Sequence, residues 1–310
     1  MDYALNRGVN FWDTAEMYPV PPTQQTYGRT EEIIGTWFKK TGRRKEVVLA
    51  SKIAGPDERL PYVRGGQNDY SRKNVFAAID ASLKRLQTDY IDLYQLHWPE
   101  RTTNNFGSLA YEHVEGEKWT PFEDVLGALG EAVKMGKIRH LGLSNESAWG
   151  TMQFLQLAKE GKGPYMQSIQ NAYHLLNRSF EVGLSEVAIR EQCGLLAYSP
   201  LAMGVLSGKY LNGAQPEGAR MTIFKEFTRY RARSEEPTRA YVELAKKNGL
   251  IPAQMALAFV NSRDFVTANI IGATNVQQLK ENIDSIDITL SDDILKEIDS
   301  INRYYTYPCP

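Results

Sequence analysis

Val9–Tyr18, VNFWDTAEMY, runs an apolar stretch into an acid, Asp13, and places a tyrosine, Tyr18, five residues further on. An apolar run of this length that stops at a polar side chain reads as a buried strand with its chemistry at the C-terminal end. Two later runs behave the same way. VVLAS, Val47–Ser51, leads into Lys52, and IDLYQL, Ile91–Leu96, leads into His97. Carboxylate, phenol, ammonium and imidazole, each at or just past a strand end, can meet at one mouth of a parallel barrel. In outline that is a proton-transfer site.

Outward from this stretch, short β-branched runs recur, each followed by a polar loop and a segment of helical period. Strands are expected at Val9–Trp12, Val47–Ser51, Ile91–Leu96, Ile138–Leu143, Met166–Ile169, Leu195–Tyr198 and Ala268–Ile271. Between them, Thr30 can cap a helix that carries Glu31 and Glu32 in its first turn and then Ile33, Ile34, Trp37 and Phe38 on an apolar face. Val75, Ile79, Leu83 and Leu86 recur at helical spacing, and Phe122–Met135 stops at Gly136, a left-handed C-cap. Further helices are expected from about Trp149, Phe180, Glu235, Pro252 and Val276, and a last one over Ser291–Asn302.

Alternation of strand and helix means parallel strands with right-handed crossovers. No GxGxxG follows a strand, which weakens an open dinucleotide-binding sheet and favours a (β/α)8 barrel. The strands expected above fall one short of eight. The long insertions, Gly55–Asp69, Pro99–Pro121 and Ser207–Ser234, all follow strands and so load the C-terminal face, where barrel sites lie.

A chain of 310 residues fits one barrel domain, and a net charge of −1 offers no field for a nucleic-acid backbone. Two cysteines, Cys193 and Cys309, form no disulfide framework, so a reducing, cytoplasmic setting is expected. No apolar run reaches the ~20 residues of a membrane span, and no signal-peptide pattern opens the chain. His113, His140 and His174 lack metal-ligand spacing, so no metal is expected.

The chemistry follows from the residue types. Tyr18 is the candidate general acid. An ammonium about 4 Å away stabilises a phenolate by roughly 4 kcal/mol at an effective dielectric near 20, part of which desolvation cancels. Lys52 supplies that charge, and Asp13 keeps Lys52 protonated and oriented. His97, neutral at pH 7, can donate a hydrogen bond to a substrate oxygen. Taken singly, Asp13 could be a helix N-cap, Tyr18 a packed phenol and His97 a core imidazole. Together, at successive strand ends, they read as one site.

DTAEMY, the lysine of ASK and the histidine of LHW resemble the catalytic tetrad of the aldo-keto reductases. GLSN at Gly142–Asn145, IQN at Ile169–Asn171, YSPLAMGVLSGKY at Tyr198–Tyr210 and IIGATNVQQLKEN at Ile270–Asn282 follow in the family's order. The resemblance implies a (β/α)8 barrel that binds NADPH and reduces a small carbonyl substrate, with Tyr18 as proton donor. It assigns Ser144, Asn145 and Gln170 to the nicotinamide amide and Tyr198 to the nicotinamide ring. Ser199, Pro200 and Leu201 fall to the cofactor, Gly204, Ser207, Gly208 and Lys209 to its phosphates, and Arg220 to the adenosine phosphate. Gly272, Thr274, Gln278, Glu281 and Asn282 fall to the phosphate and adenine end. Lys209 and Arg220 favour NADPH over NADH, since a 2′-phosphate needs cationic partners. Trp98 and Tyr305 are weaker candidates for substrate contact.

Against the family pattern, the N-terminal hairpin and first barrel strand are expected to be missing, because the chain opens in what reads as the back half of a helix, DYALNRG. The leading expectation is a cytoplasmic carbonyl reductase. The alternatives are an NADP(H)-reading regulatory subunit with little turnover, or a shortened and inactive chain.

Overall fold

The computed structural model describes residues 1–226, 229–231 and 233–310, so the insertion expected over Ser207–Ser234 includes Phe227, Thr228 and Ala232, which lie outside the described residues. Among the described residues seven strands follow one another in chain order in the sheet. They are β1 (Phe11–Asp13), β2 (Val48–Ile53), β3 (Ile91–Leu96), β4 (Ile138–Ser144), β5 (Met166–Ala172), β6 (Gly194–Tyr198) and β7 (Val266–Ile270). Helices stand between them. This is the expected α/β class, parallel strands of the (β/α)8 type, with seven strands.

The differences from expectation are local and have local causes. β1 starts at Phe11 because the Val9 amide donates to Ala4 C=O at 2.9 Å, held by the turn that closes the helix Asp2–Asn6. β2 runs on through Lys52 to Ile53. Thr30 is not a cap. The helix Arg29–Thr41 is entered through Gly28 at φ 79, where a left-handed turn suits glycine, and Thr30 lies inside the first turn. Gly136, at φ 74 after the helix Phe122–Lys134, takes the expected left-handed position.

Two compact units make up the chain. The first comprises Met1–Thr103, Tyr111–Ile169 and Glu191–Cys193. In it β1, β2, β3 and β4 pair in parallel, with Asp13 opposite Ala50, Lys52 opposite Gln95, and Gln95 opposite Gly142. Every residue of β3 is buried, as a strand covered on both faces must be. The crossover helix Arg29–Thr41 lays Trp37 and Phe38 on Trp12, with ring centroids 4.8 and 6.0 Å from it. Gly35 lets this helix meet the end of Arg72–Leu86, because a Cβ there would come within 2.7 Å of the Leu86 carbonyl carbon.

The second unit comprises Asn104–Ala110, Gln170–Arg190 and Gly194–Pro310. Its β6 and β7 pair in parallel, Tyr198 opposite Ile270. The helix Pro252–Asn261 is buried from Met255 to Val260, and Tyr173 packs on Phe259 and Phe265 at 6.0 and 5.2 Å. Arg178 ties Glu181 to Asp299 on the last helix, Asp292–Tyr304, at 2.7 Å to each. No helix among the described residues is long and apolar enough to cross a membrane.

His174, fully buried in this unit, gives a stability test. Its Nδ1 accepts the Leu176 amide at 3.2 Å, and its Nε2 has no partner among the described residues. Burial, helped by the Arg229 charge, pulls its pKa down to about 3. The unfolded chain therefore binds a proton that the fold refuses between about pH 6.5 and that value, and stability falls as pH drops, by about 1.4 kcal/mol per pH unit. In urea titrations between about pH 6.5 and 4.5, His174→Gln, which keeps an acceptor for Leu176, is expected to lose about 2–3 kcal/mol less than the parent. Parallel losses in the two proteins would refute it.

Candidate active site

The sequence places Asp13 at the end of β1 and Lys52 near the end of β2, and the β1–β2 register brings their side chains together. Lys52 Nζ donates to Asp13 Oδ2 at 2.6 Å and to Thr14 C=O at 2.8 Å, and the lysine has no exposed surface. Burial pushes the Lys52 pKa down, but the charges of Asp13 and Tyr18 and its hydrogen bonds to both more than offset this, and the net direction is up. The ammonium is therefore the resident form. It lies 4.9 Å from the centroid of the Tyr18 ring.

Tyr18 is held by its neighbours rather than by a strand. Its carbonyl accepts the Thr30 amide at 3.4 Å, which ties it to the first turn of the next helix. Its ring packs against a small core of Ala15, Met17, Ala54, Leu60, Val63 and Trp98. It meets the His97 ring edge-on at 5.5 Å. His97 follows β3, its amide donating to Ile53 C=O at 3.0 Å and its carbonyl accepting Asn145 Nδ2 at 2.8 Å. Burial, then the Lys52 charge, holds its pKa well below the usual imidazole value, so the ring is neutral at pH 7. All four expected residues thus lie together in the first unit.

Ser144 ends β4 and Asn145 follows it, beside His97. Asn145, at φ 52, spends its amide nitrogen on His97 C=O and on Ser144 Oγ, the latter at 3.1 Å. Trp98, expected as a weak substrate contact, is buried, and its indole N–H donates to Pro56 C=O at 3.0 Å. It walls the site as part of the core under Tyr18.

Sequence reasoning missed three polar residues here. Gln95, on β3, donates from Nε2 to Asp13 Oδ1 at 3.1 Å. Glu16 accepts the Ala54 amide at 2.5 Å and pairs with Arg64, which also donates to Ala54 C=O at 2.7 Å. That pair fastens the loop after β2 onto the segment that carries Tyr18. A hint of Glu16 was present, since it sits inside DTAEMY. Gln95 sits in an apolar strand, and only the register exposes its role.

The remaining expected residues belong to the second unit. Gln170 on β5 is buried. Tyr198 ends β6, and Ser199 follows at φ 55, ahead of Pro200 and Leu201. Gly204, at φ 91, leaves room for the Lys209 stem, whose Cε would lie 2.9 Å from a Cβ there, and Gly208 does the same for Val242. Ser207 Oγ donates to Gly204 C=O at 2.7 Å. Arg220 opens the short helix Arg220–Ile223. Gln278 Oε1 accepts from Thr274 Oγ1 at 2.9 Å, and Asn282 Nδ2 donates to Gly272 C=O at 3.2 Å, so both shape the loop before the helix Val276–Asp284. Glu281 C=O accepts Gln254 Nε2 at 2.9 Å. Tyr305 stands at the C-cap of the last helix. Among the described residues, no group of three or more His, Cys, Asp and Glu is arranged to hold a metal.

The site is thus a parallel α/β fold's buried lysine joined to an acid and a tyrosine beside a neutral histidine. The model of the Aldo/keto reductase family matches residues 1–303, and the chain belongs to that family. It is 50% identical over 311 residues to "Protein tas" of Escherichia coli, covering 100% of this chain and 90% of that protein. It is 32% identical to the L-glyceraldehyde 3-phosphate reductase of Escherichia coli, over 96% of this chain and 80% of that one. It is 31% identical to "Aldo-keto reductase yakc [NADP(+)]" of Schizosaccharomyces pombe, over the same shares.

The Glu16–Arg64 pair is testable on its own. Breaking a buried pair from one side costs about 3–5 kcal/mol. Burial already raises the Glu16 pKa despite the Arg64 charge, so without Arg64 the carboxyl takes up a proton in the fold more readily still. Its contribution to stability is then greatest at low pH and is lost as pH rises through the folded pKa. Arg64→Met is expected to cost about 3 kcal/mol at pH 8 and clearly less at pH 5 in urea unfolding, and adding Glu16→Gln should recover most of the loss. Equal losses at both pH values would contradict it.

Proposed function

We propose that this chain is an NADPH-dependent reductase of small aldehydes or ketones, with Tyr18 as the proton donor. The observation that carries the reading is the buried Lys52 ammonium, bound to Asp13 on one side and Tyr18 on the other. A cation held there favours the phenolate that remains after Tyr18 gives up its proton. Asp13 keeps the cation charged and aimed. Neutral His97 donates one hydrogen bond to the carbonyl oxygen and fixes its direction.

The chemistry NADPH supplies when bound is hydride donation to the carbonyl carbon. The second unit suits such a ligand on its own terms. Gly204 and Gly208 present bare backbone with left-handed φ, and Lys209 crosses Gly204. Asn275 caps the helix Val276–Asp284, whose N-terminus is an anion site of the usual kind. Lys209 and Arg220 would face the phosphates. The names of the L-glyceraldehyde 3-phosphate reductase and the NADP(+) relative point the same way. Free, buried Cys193 and Cys309 fit a reducing cytoplasm.

The test follows NADPH absorbance with a panel of aldehydes. Tyr18→Phe is expected to lower kcat by about 10²–10⁴-fold while NADPH binding, read by its fluorescence, stays within about threefold. Full activity in Tyr18→Phe would remove the assigned acid. Tight NADPH binding with no turnover on any carbonyl would replace the reductase by a cofactor-reading protein.

A further inference from the structure

We infer that Gln95 is a positioning residue for Asp13, and through Asp13 for the Lys52–Tyr18 pair; this rests on the reading of Tyr18 as the acid. Asp13 has a side chain only 6% exposed, and both of its oxygens are bonded. Oδ2 receives Lys52 Nζ at 2.6 Å, and Oδ1 receives Gln95 Nε2 at 3.1 Å. A carboxylate held from one side only is free to turn, and each of its bare lone pairs favours protonation. The Gln95 amide closes the second side. It fixes the carboxylate plane, so that Oδ2 stays on Lys52, and it stabilises the ionised form that Lys52 needs.

The scaffold is shaped around this side chain. Gln95 has no exposed surface and sits in register between Lys52 on β2 and Gly142 on β4. A Cβ at Gly142 would lie 3.1 Å from Gln95 Cγ and 2.7 Å from Ser168 Oγ. The glycine of GLSN, whose neighbours Ser144 and Asn145 the family resemblance gives to the cofactor, therefore also makes room for the amide that holds Asp13. A leucine at 95 would fill the same volume and could not donate to Asp13.

Among the described residues, Asp13 from β1 accepts from Gln95 and Lys52 from β2 stands in register with it, while Tyr18 from the loop after β1 and His97 past the end of β3 interact with that lysine. β4 and β5 offer Gly142 and Ser168, which do not titrate. This makes Gln95→Glu informative. A protonated carboxyl can donate to Asp13 as the amide does. An ionised one sets two carboxylates side by side, which raises the affinity of the pair for a proton.

The experiment measures kcat, KM and the NADPH-bound melt for both variants from about pH 5 to 9. Gln95→Leu is expected to lose about 10–100-fold in kcat at all pH values, with KM for the aldehyde within about threefold. Gln95→Glu is expected to be most active at acid pH and to lose activity as pH rises, a limb that the parent lacks. A Gln95→Leu protein with parental kcat would overturn the inference. So would a Gln95→Glu profile that parallels the parent, and that second measurement decides if Gln95→Leu does not fold. Tyr18→Phe run beside them separates the two readings. If it stays active, the acid assignment has failed; if it is inactive while both Gln95 variants behave like the parent, only the positioning role has.

Discussion

The contact on which the first unit depends is the buried ion pair between Lys52 and Asp13. An ammonium without exposed surface costs several kcal/mol in lost hydration even after relaxation. The fold tolerates it because Asp13, Thr14 C=O and Tyr18 all bond to it. That solution exists at one register alone. β1 meets β2 with Asp13 opposite Ala50, and a slip of a single residue would turn every side chain of β1 to its other face. The pairing of two strands and the electrostatics of the site are thus one constraint.

The same logic extends down the chain in a repeated form. From the end of β1 to the first turn of its crossover helix stand the acids Asp13, Glu16 and Glu31, their side chains buried, and each meets its own cation: Lys52, Arg64 and Arg85. The cations come from β2, from the loop after it and from the helix after that. Glu31 also accepts Ser51 Oγ at 2.5 Å, on β2 next to Lys52. Ion pairs like these add little net stability compared with apolar packing, but they penalise every arrangement that separates them. They fix one βα segment against the next, and Tyr18 lies between the first two acids and the third.

Much of this was legible in the sequence because strand ends announce themselves. A buried parallel strand reads as an apolar run, and the first polar residue after it marks the functional face, which is how Asp13, Lys52 and His97 stood out. Tyr18 needed the spacing from Asp13. What escaped was whatever depends on which residues face each other across strands. Gln95 is one letter in IDLYQL, and nothing local says that it lies between Lys52 and a glycine. Arg64 sits in a loop at φ 46, where no periodicity reaches. Thr30 does not cap its helix because the capping preference of threonine competes with the left-handed turn that Gly28 supplies, and the backbone decides it. Loops and cross-strand neighbours are tertiary facts, and a single sequence encodes them without displaying them.

The electrostatics also narrow which group can serve as the acid. His97 is buried next to the Lys52 ammonium, and both effects oppose a charged imidazole, so the ring has no second proton to give near neutral pH. Lys52 is driven the other way by its partners and keeps its proton, and losing it would leave Asp13 as an uncompensated buried charge. Of the three candidate donors in the proposed reaction, these two are disfavoured by their own surroundings. Tyr18 is left at the edge of a small apolar core, with a cation on one side and a neutral imidazole on the other. In the proposed reaction, proton donation from Tyr18 would create a phenolate beside a fixed positive charge, which gains stability only as the proton leaves. Catalysis of this kind depends on stabilisation that grows toward the transition state, and a pre-set cation provides it without reorganisation.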